Sequence, residues 1–283
     1  MSMPVETIID EDGILADSGF FWREANGVKA LVSRQLVDAG FENGFSTRMG
    51  GVSNFPANSL NLAGFSEDLR ENIYENRRRF LTLFPAGMRI AAVYQCHGST
   101  VKKIATEADI TDSDDRADGM ISDITGVLLG VKTADCVPVL IGNPKTGAYA
   151  AIHAGWRGTV ASIVIKAVEM MRTNFGSDPS QMIAAIGPAA SVRQYEIGED
   201  VLNAFAENFE GSEKYFIPTR PGHARVDLHA ANRDQLLSCG LEVANISVAP
   251  FCTMERTDLF FSYRREKKEF GKTGRLLSVI GKA

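Results

Sequence analysis

Apolar β-type runs at 127–132, 137–141 and 148–153 follow one another with only short polar breaks, which commits the middle of this chain to sheet. The last two are joined by Asn143-Pro144-Lys145-Thr146-Gly147, residues suited to reversing a chain, so they are expected to form a β-hairpin. A turn centred on Pro144 and Lys145 sets Cys136 directly opposite His153. Opposed residues of an antiparallel pair lie about 4.5–5.5 Å apart at Cα, close enough for a thiolate and an imidazole to share an ion or a proton.

Further β-type runs at 92–97, 182–186, 246–251 and 276–280 alternate with helical patterns. After Gly158, the residues Val160, Ile163, Val164, Ala167, Val168 and Met171 repeat at helical spacing on one face, and Gly176 supplies a stop. Other helices are expected at 67–84, opened by Glu67 and Asp68, at 199–209, and at 228–238 with Asp227 as N-cap. The mixture predicts an α/β or α+β layered arrangement. No repeat, low-complexity tract or linker divides the sequence, so residues 1–283 are read as one domain, long enough to bury most of its apolar surface.

Composition excludes several classes. A formal net charge of −5 disfavours a phosphate backbone as partner, so no nucleic acid is expected. No run approaches the roughly eighteen apolar residues of a membrane span, and residues 1–18 carry neither the positive nor the apolar stretch of a signal peptide. A cytoplasmic protein is expected. Its four cysteines (Cys96, Cys136, Cys239 and Cys252) are scattered and read as reduced thiols.

Chemistry concentrates around two of the four histidines. His97 and His153 each end a β-type run and are followed by glycine, in Gln95-Cys96-His97-Gly98 and in His153-Ala154-Gly155-Trp156-Arg157-Gly158, a setting where sites are commonly built. Cys96, next to His97 on a strand, is expected to point to the opposite face and is left out of the site. Four readings of Cys136 and His153 stand side by side. Both could be structural, a buried thiol and a hydrogen-bonded imidazole. They could hold zinc with His97, three protein ligands and one open position being the pattern of catalytic zinc. Two histidines and a cysteine are also the trigonal set of a blue-copper centre. Or Cys136 could be a nucleophile with His153 as base and Asp135 or Asn143 orienting it.

Cations flank the same region. The loop Phe45-Ser46-Thr47-Arg48-Met49-Gly50-Gly51-Val52-Ser53 offers Arg48, and Arg157 sits just before the clearest helix, whose N-terminus favours anions; together they could bind phosphate. Arg77-Arg78-Arg79 reads as a solvated helix face. His223 and His229, flanking Asp227, are spare ligands.

From Phe45 to the C-terminus the chain resembles the bacterial polyphenol-oxidase-like, laccase-domain family and its zinc-dependent purine nucleoside phosphorylase/adenosine deaminase enzymes. The resemblance rests on the Phe45–Ser53 loop, Ser59-Leu60-Asn61-Leu62, Glu75-Asn76-Arg77-Arg78, Gln95 with His97-Gly98, Ala117-Asp118-Gly119, Thr133-Ala134-Asp135-Cys136, the block from His153 to Gly158, Ile186-Gly187-Pro188, Tyr195-Glu196-Ile197-Gly198 and Phe261-Ser262-Tyr263-Arg264-Arg265. It implies a single-domain α/β/α sandwich with a mixed sheet, zinc on His97, Cys136 and His153, and a nucleoside pocket beside the metal. The implied activities are phosphorolysis of adenosine, inosine or guanosine, with methylthioadenosine as a further substrate, and deamination of adenosine. Phosphorolysis needs a cationic cradle for phosphate, for which Arg48 and Arg157 are the candidates, and Asp135 is the candidate for orienting a ligand or moving a proton.

The chain departs from the family at Ala189 and Gln194, where cysteines are common, and at Cys96, where Val or Thr is usual. Four histidines are too few for multicopper catalysis, which needs on the order of ten. The H-x-E and P-C-x-x-C signature of zinc nucleobase deaminases is absent. Alternatives carried forward are a cysteine hydrolase or cell-wall precursor editing enzyme using Cys136 and His153, a copper-dependent polyphenol oxidoreductase, and a non-catalytic metal-stabilised binding protein.

Overall fold

The computed structural model describes residues 11–64 and 68–283. Its β residues form two large mixed sheets. One has seven strands in the order Phe20–Ala25, Val28–Ser33, Glu42–Ser46, Leu276–Lys282, Val127–Thr133, Arg89–Tyr94, Asp112–Arg116. The other has six, in the order Ile246–Val248, Ile183–Ile186, Val137–Gly142, Tyr149–Ala154, Gly119–Ser122, Val101–Lys103. Most neighbours are antiparallel, but Arg89–Tyr94 runs parallel to both Val127–Thr133 and Asp112–Arg116.

The sheets pack face to face, so the β layer of this α/β fold is double. Alternation along Val127–Thr133 shows why: Val127, Leu129 and Val131 enter the core between the sheets, against Leu140, Tyr149 and Ala151 of the six-stranded sheet. Leu128 points the other way, to a cluster with Phe80 of the Arg70–Leu81 helix. The outer face of the six-stranded sheet is covered by the Ile163–Phe175 and Leu228–Ser238 helices. Strands buried on both faces read as continuous apolar runs, as the central three do.

Several local expectations are corrected. The run at 92–97 is strand only to Tyr94, and His97 lies beyond it in a loop with φ of 58°. Cys96 is therefore not on a strand. It is nevertheless outside the metal-donor cluster. The helix expected after Gly158 is two pieces, Trp156–Val160 and Ile163–Phe175, separated at Ser162, whose φ is also 58°. The second piece buries Ile163, Val164, Ala167, Val168 and Met171 and ends on left-handed Gly176, as its spacing required. Asp227 caps Leu228–Ser238 by accepting from Ala230 N at 2.9 Å. The helix expected at 67–84 spans Arg70–Leu81, and Glu67 lies outside the described residues.

The hairpin forms with a different register. Pro138, not Cys136, faces His153, and Val137 faces Ala154. The loop is longer than a two-residue turn: Asn143 N donates to Ala148 O at 2.8 Å, Asn143 Oδ1 accepts from Lys145 N and Thr146 N, and Gly147 takes φ of 75°. A shift of this size moves Cys136 along the strand direction and keeps it on the same face. It becomes a diagonal neighbour of His153.

Tyr149 ties the two sheets together. Fully buried, its hydroxyl donates to Ile124 O at 2.7 Å and lies 3.1 Å from Val127 O. Tyr149→Phe is expected to cost about 1 kcal/mol by urea unfolding, the worth of one buried hydrogen bond. Tyr149→Ala, which also empties the intersheet core, is expected to cost about 3–5 kcal/mol. Equal effects of the two would contradict this packing.

Candidate metal centre

Two loops and a strand end deliver the chemistry. His97 follows the Arg89–Tyr94 strand, Cys136 immediately precedes Val137–Gly142, and His153 is the penultimate residue of Tyr149–Ala154. One donor atom from each lies within 4.8 Å of the other two, the one such group of three among the described residues. The imidazoles of His97 and His153 meet edge to face with centroids 4.9 Å apart.

Asp118, fully buried just ahead of the Gly119–Ser122 strand, holds this arrangement. Its Oδ1 accepts from His97 N at 2.9 Å and lies 2.8 Å from His153 Nδ1, while Oδ2 accepts from Gly98 N at 2.7 Å and from Cys96 N at 3.2 Å. One carboxylate thus fixes the left-handed His97 loop and orients the second imidazole. With Nδ1 bound to Asp118, His153 turns Nε2 toward the cluster.

The charges support a metal-binding role. Burial disfavours an ionised Asp118, but hydrogen bonds from His153 and Gly98 outweigh it and hold its pKa down to about 2. Burial also opposes a Cys136 thiolate, yet the positive charge and hydrogen bond of His153, with a further hydrogen bond from His97, bring the thiol below its ordinary range. His153 is pushed up in turn, since the Cys136 thiolate and Asp118 overcome its own burial. The thiolate and the imidazolium favour one another, and a metal binding here competes with protons for both donors.

Gly155 gives an independent test of fit. A Cβ there would lie 3.1 Å from both Cys136 Sγ and His97 Nδ1, and 3.8 Å from His153 Cε1. The chain leaves this position empty, in the space between the three donors. Two imidazoles and a thiolate suit zinc or copper by ligand softness.

The cluster borders a cleft of about 970 Å³. Arg157 lines it, its guanidinium 4.2 Å from the Trp156 ring centroid. Asp135 lines it too, at φ of 86°, but both its oxygens are engaged: Thr253 Oγ1 donates at 2.7 Å, Ser262 Oγ at 3.1 Å and Arg264 N at 2.7 Å. Burial pushes its carboxyl up, against those hydrogen bonds. Arg48 is not brought to the cleft. It pairs with buried Glu266 at 2.8 Å, stacks over Phe261, and borders a separate cavity of about 760 Å³. His229 Nε2 lies 3.2 Å from Gly187 O, and neither it nor His223 joins the cluster.

Reasoning from sequence missed Asp118 as the organiser, although Ala117-Asp118-Gly119 is one of the blocks that carry the resemblance. Nor does sequence reasoning find a further part of the cleft lining, where Arg264 stacks over Tyr195 and Arg275 over Tyr263. The 261–265 run carries Tyr263 and Arg264, but only the fold brings them into the same cleft as the histidines.

Fold and cluster together define an α/β protein with a candidate His-Cys-His metal centre at the end of a double sheet. The chain belongs to the family described as multi-copper polyphenol oxidoreductase laccase, whose profile matches residues 42–283. It is 38% identical over 238 residues to a protein of Deinococcus radiodurans named purine nucleoside phosphorylase, covering 84% of this chain and 87% of that one. It is 36% identical to the Escherichia coli protein named purine nucleoside phosphorylase YfiH, covering 83% and 91%. The crystal structure of YlmD from Geobacillus stearothermophilus superposes with a TM-score of 0.83 at 34% identity, over 93% of this chain and 98% of that one.

The ion pair has a measurable consequence. In metal-free protein, iodoacetamide should alkylate Cys136 well below pH 8.5, the pKa of an ordinary thiol, because the lowered pKa keeps it a thiolate as pH falls. Loading zinc should block the reaction. A rate that follows an ordinary thiol titration would contradict the pairing.

Proposed function

We propose that this chain is a zinc-dependent purine nucleoside phosphorylase that cleaves adenosine, inosine or guanosine with phosphate and also deaminates adenosine. The observation that carries the reading is the juxtaposition, across one cleft, of the His97, Cys136 and His153 cluster with arginines stacked on aromatic rings. The names of the relatives support a nucleoside and phosphate as substrates. Residues 1–283 act as one domain in the cytoplasm, where the thiols stay reduced, and among the described residues no helix is long and apolar enough to cross a membrane.

His97, Cys136 and His153 would hold the metal, which supplies Lewis acidity to an oxygen of water or substrate. The chain supplies the rest. Asp118 keeps His153 in one orientation and the His97 loop in one conformation. Arg157 carries no ion pair among the described residues, so its charge is available to phosphate, and Arg264, whose Nη1 donates to Glu196 O at 3.2 Å, adds a second guanidinium to the cleft lining. Trp156, Tyr195 and Tyr263 offer flat faces for a purine. Asp135 anchors the Cys136 loop to the 253–264 segment, the role its three hydrogen bonds support.

Metal analysis should find about one zinc per chain, and base release from adenosine and inosine should depend on phosphate. Cys136→Ala should lose both the zinc and the turnover. A metal-free wild type without turnover would redirect the reading to a cysteine hydrolase, and intact zinc without turnover of any nucleoside to a binding protein.

A further inference from the structure

The loops carrying His97 and Cys136 leave the ends of two neighbouring parallel strands, Arg89–Tyr94 and Val127–Thr133. Their ladder is short. Arg89 pairs with Val127, Ile90 with Leu128 and Ala91 with Leu129, and then the strands part. Beyond Ala91 the first strand turns to its other neighbour, Ala92 pairing with Asp112 and Tyr94 with Arg116. The cleft opens at this split, with Val93, Tyr94 and Gln95 on one side and Lys132, Thr133 and Ala134 on the other.

One side chain crosses the gap. Gln95 Nε2 donates to Lys132 O at 2.7 Å, and Lys132 N donates to Gln95 Oε1, also at 2.7 Å. The primary amide offers a donor and an acceptor side by side, so it reproduces a strand pair where the main-chain ladder has ended. Gln95 stands two residues before His97, and Lys132 leads through Thr133-Ala134-Asp135 to Cys136.

We propose that Gln95 is a positioning residue, a side-chain clamp that sets the separation of the His97 and Cys136 loops and so the geometry of the metal cluster. Without it the two strand ends are free to part further or to close on one another. Either movement displaces one ligand relative to the other, against a tolerance of about 0.5 Å for a functional constellation. Asp118 fixes the His97 loop against His153, and Gln95 fixes that loop against the strand that leads to Cys136. The inference rests on the metal reading above and needs no turnover for its test.

Gln95→Leu keeps most of the side-chain volume, one atom shorter, and removes both hydrogen bonds. Zinc affinity is read by competition with a chromophoric chelator, and geometry by the visible spectrum of the cobalt(II)-loaded protein. The variant should bind zinc about 10–100-fold more weakly, the usual effect of losing outer support of a metal site, with a changed cobalt spectrum. Tyr149→Phe, which loses a buried hydrogen bond between the sheets, should keep wild-type zinc affinity and spectrum. Wild-type affinity and spectrum in Gln95→Leu would overturn the proposal, as would an equal loss in Tyr149→Phe, which marks general loosening. A wild type that binds zinc but cleaves no nucleoside would end the proposed activity and leave the clamp standing. A wild type that binds neither zinc nor cobalt would end both.

Discussion

Everything at the candidate centre depends on one buried carboxylate. Asp118 is fully buried and survives ionised because five donors surround it: three successive backbone amides of the His97 loop, the Cys96 thiol and the His153 ring. The same carboxylate that accepts from the amides of the left-handed His97 loop also pairs with the His153 ring, so the two histidines are held as one unit.

The double sheet explains why the ligands can come from distant parts of the sequence and still meet. His97 follows a strand of the seven-stranded sheet, Cys136 lies in the link that passes from that sheet into the six-stranded one, and His153 lies near the end of a strand of the six-stranded sheet packed against the first. The close layers put the strand ends within reach of each other. Gly155 and Gly158 then let the chain after His153 pass next to the other loops, since a Cβ at Gly158 would lie 3.0 Å from Gly98 O.

The parts of this structure legible in sequence are those with local causes. Asp227 at a helix start, Gly176 at a helix end and the apolar runs of the buried strands follow from side-chain chemistry within a few residues. The hairpin pattern in the sequence brings Cys136 and His153 together even at a register two residues away from the observed one, because a shift of two residues preserves the face. The left-handed backbone of His97 was not legible, since a histidine adopts it here only through a carboxylate more than twenty residues away. Likewise nothing near Arg48 announces Glu266, with which it pairs at 2.8 Å beside a cavity separate from the cleft. Nor does the sequence of the 261–265 segment say which loop it will face.

The central claim is that His97, Cys136 and His153 converge on one ion. X-ray absorption at the zinc edge of reconstituted protein tests it most directly, because it counts the donor atoms themselves. The account requires one sulfur at about 2.3 Å and two imidazole nitrogens at about 2.0–2.1 Å. A first shell without sulfur would contradict it.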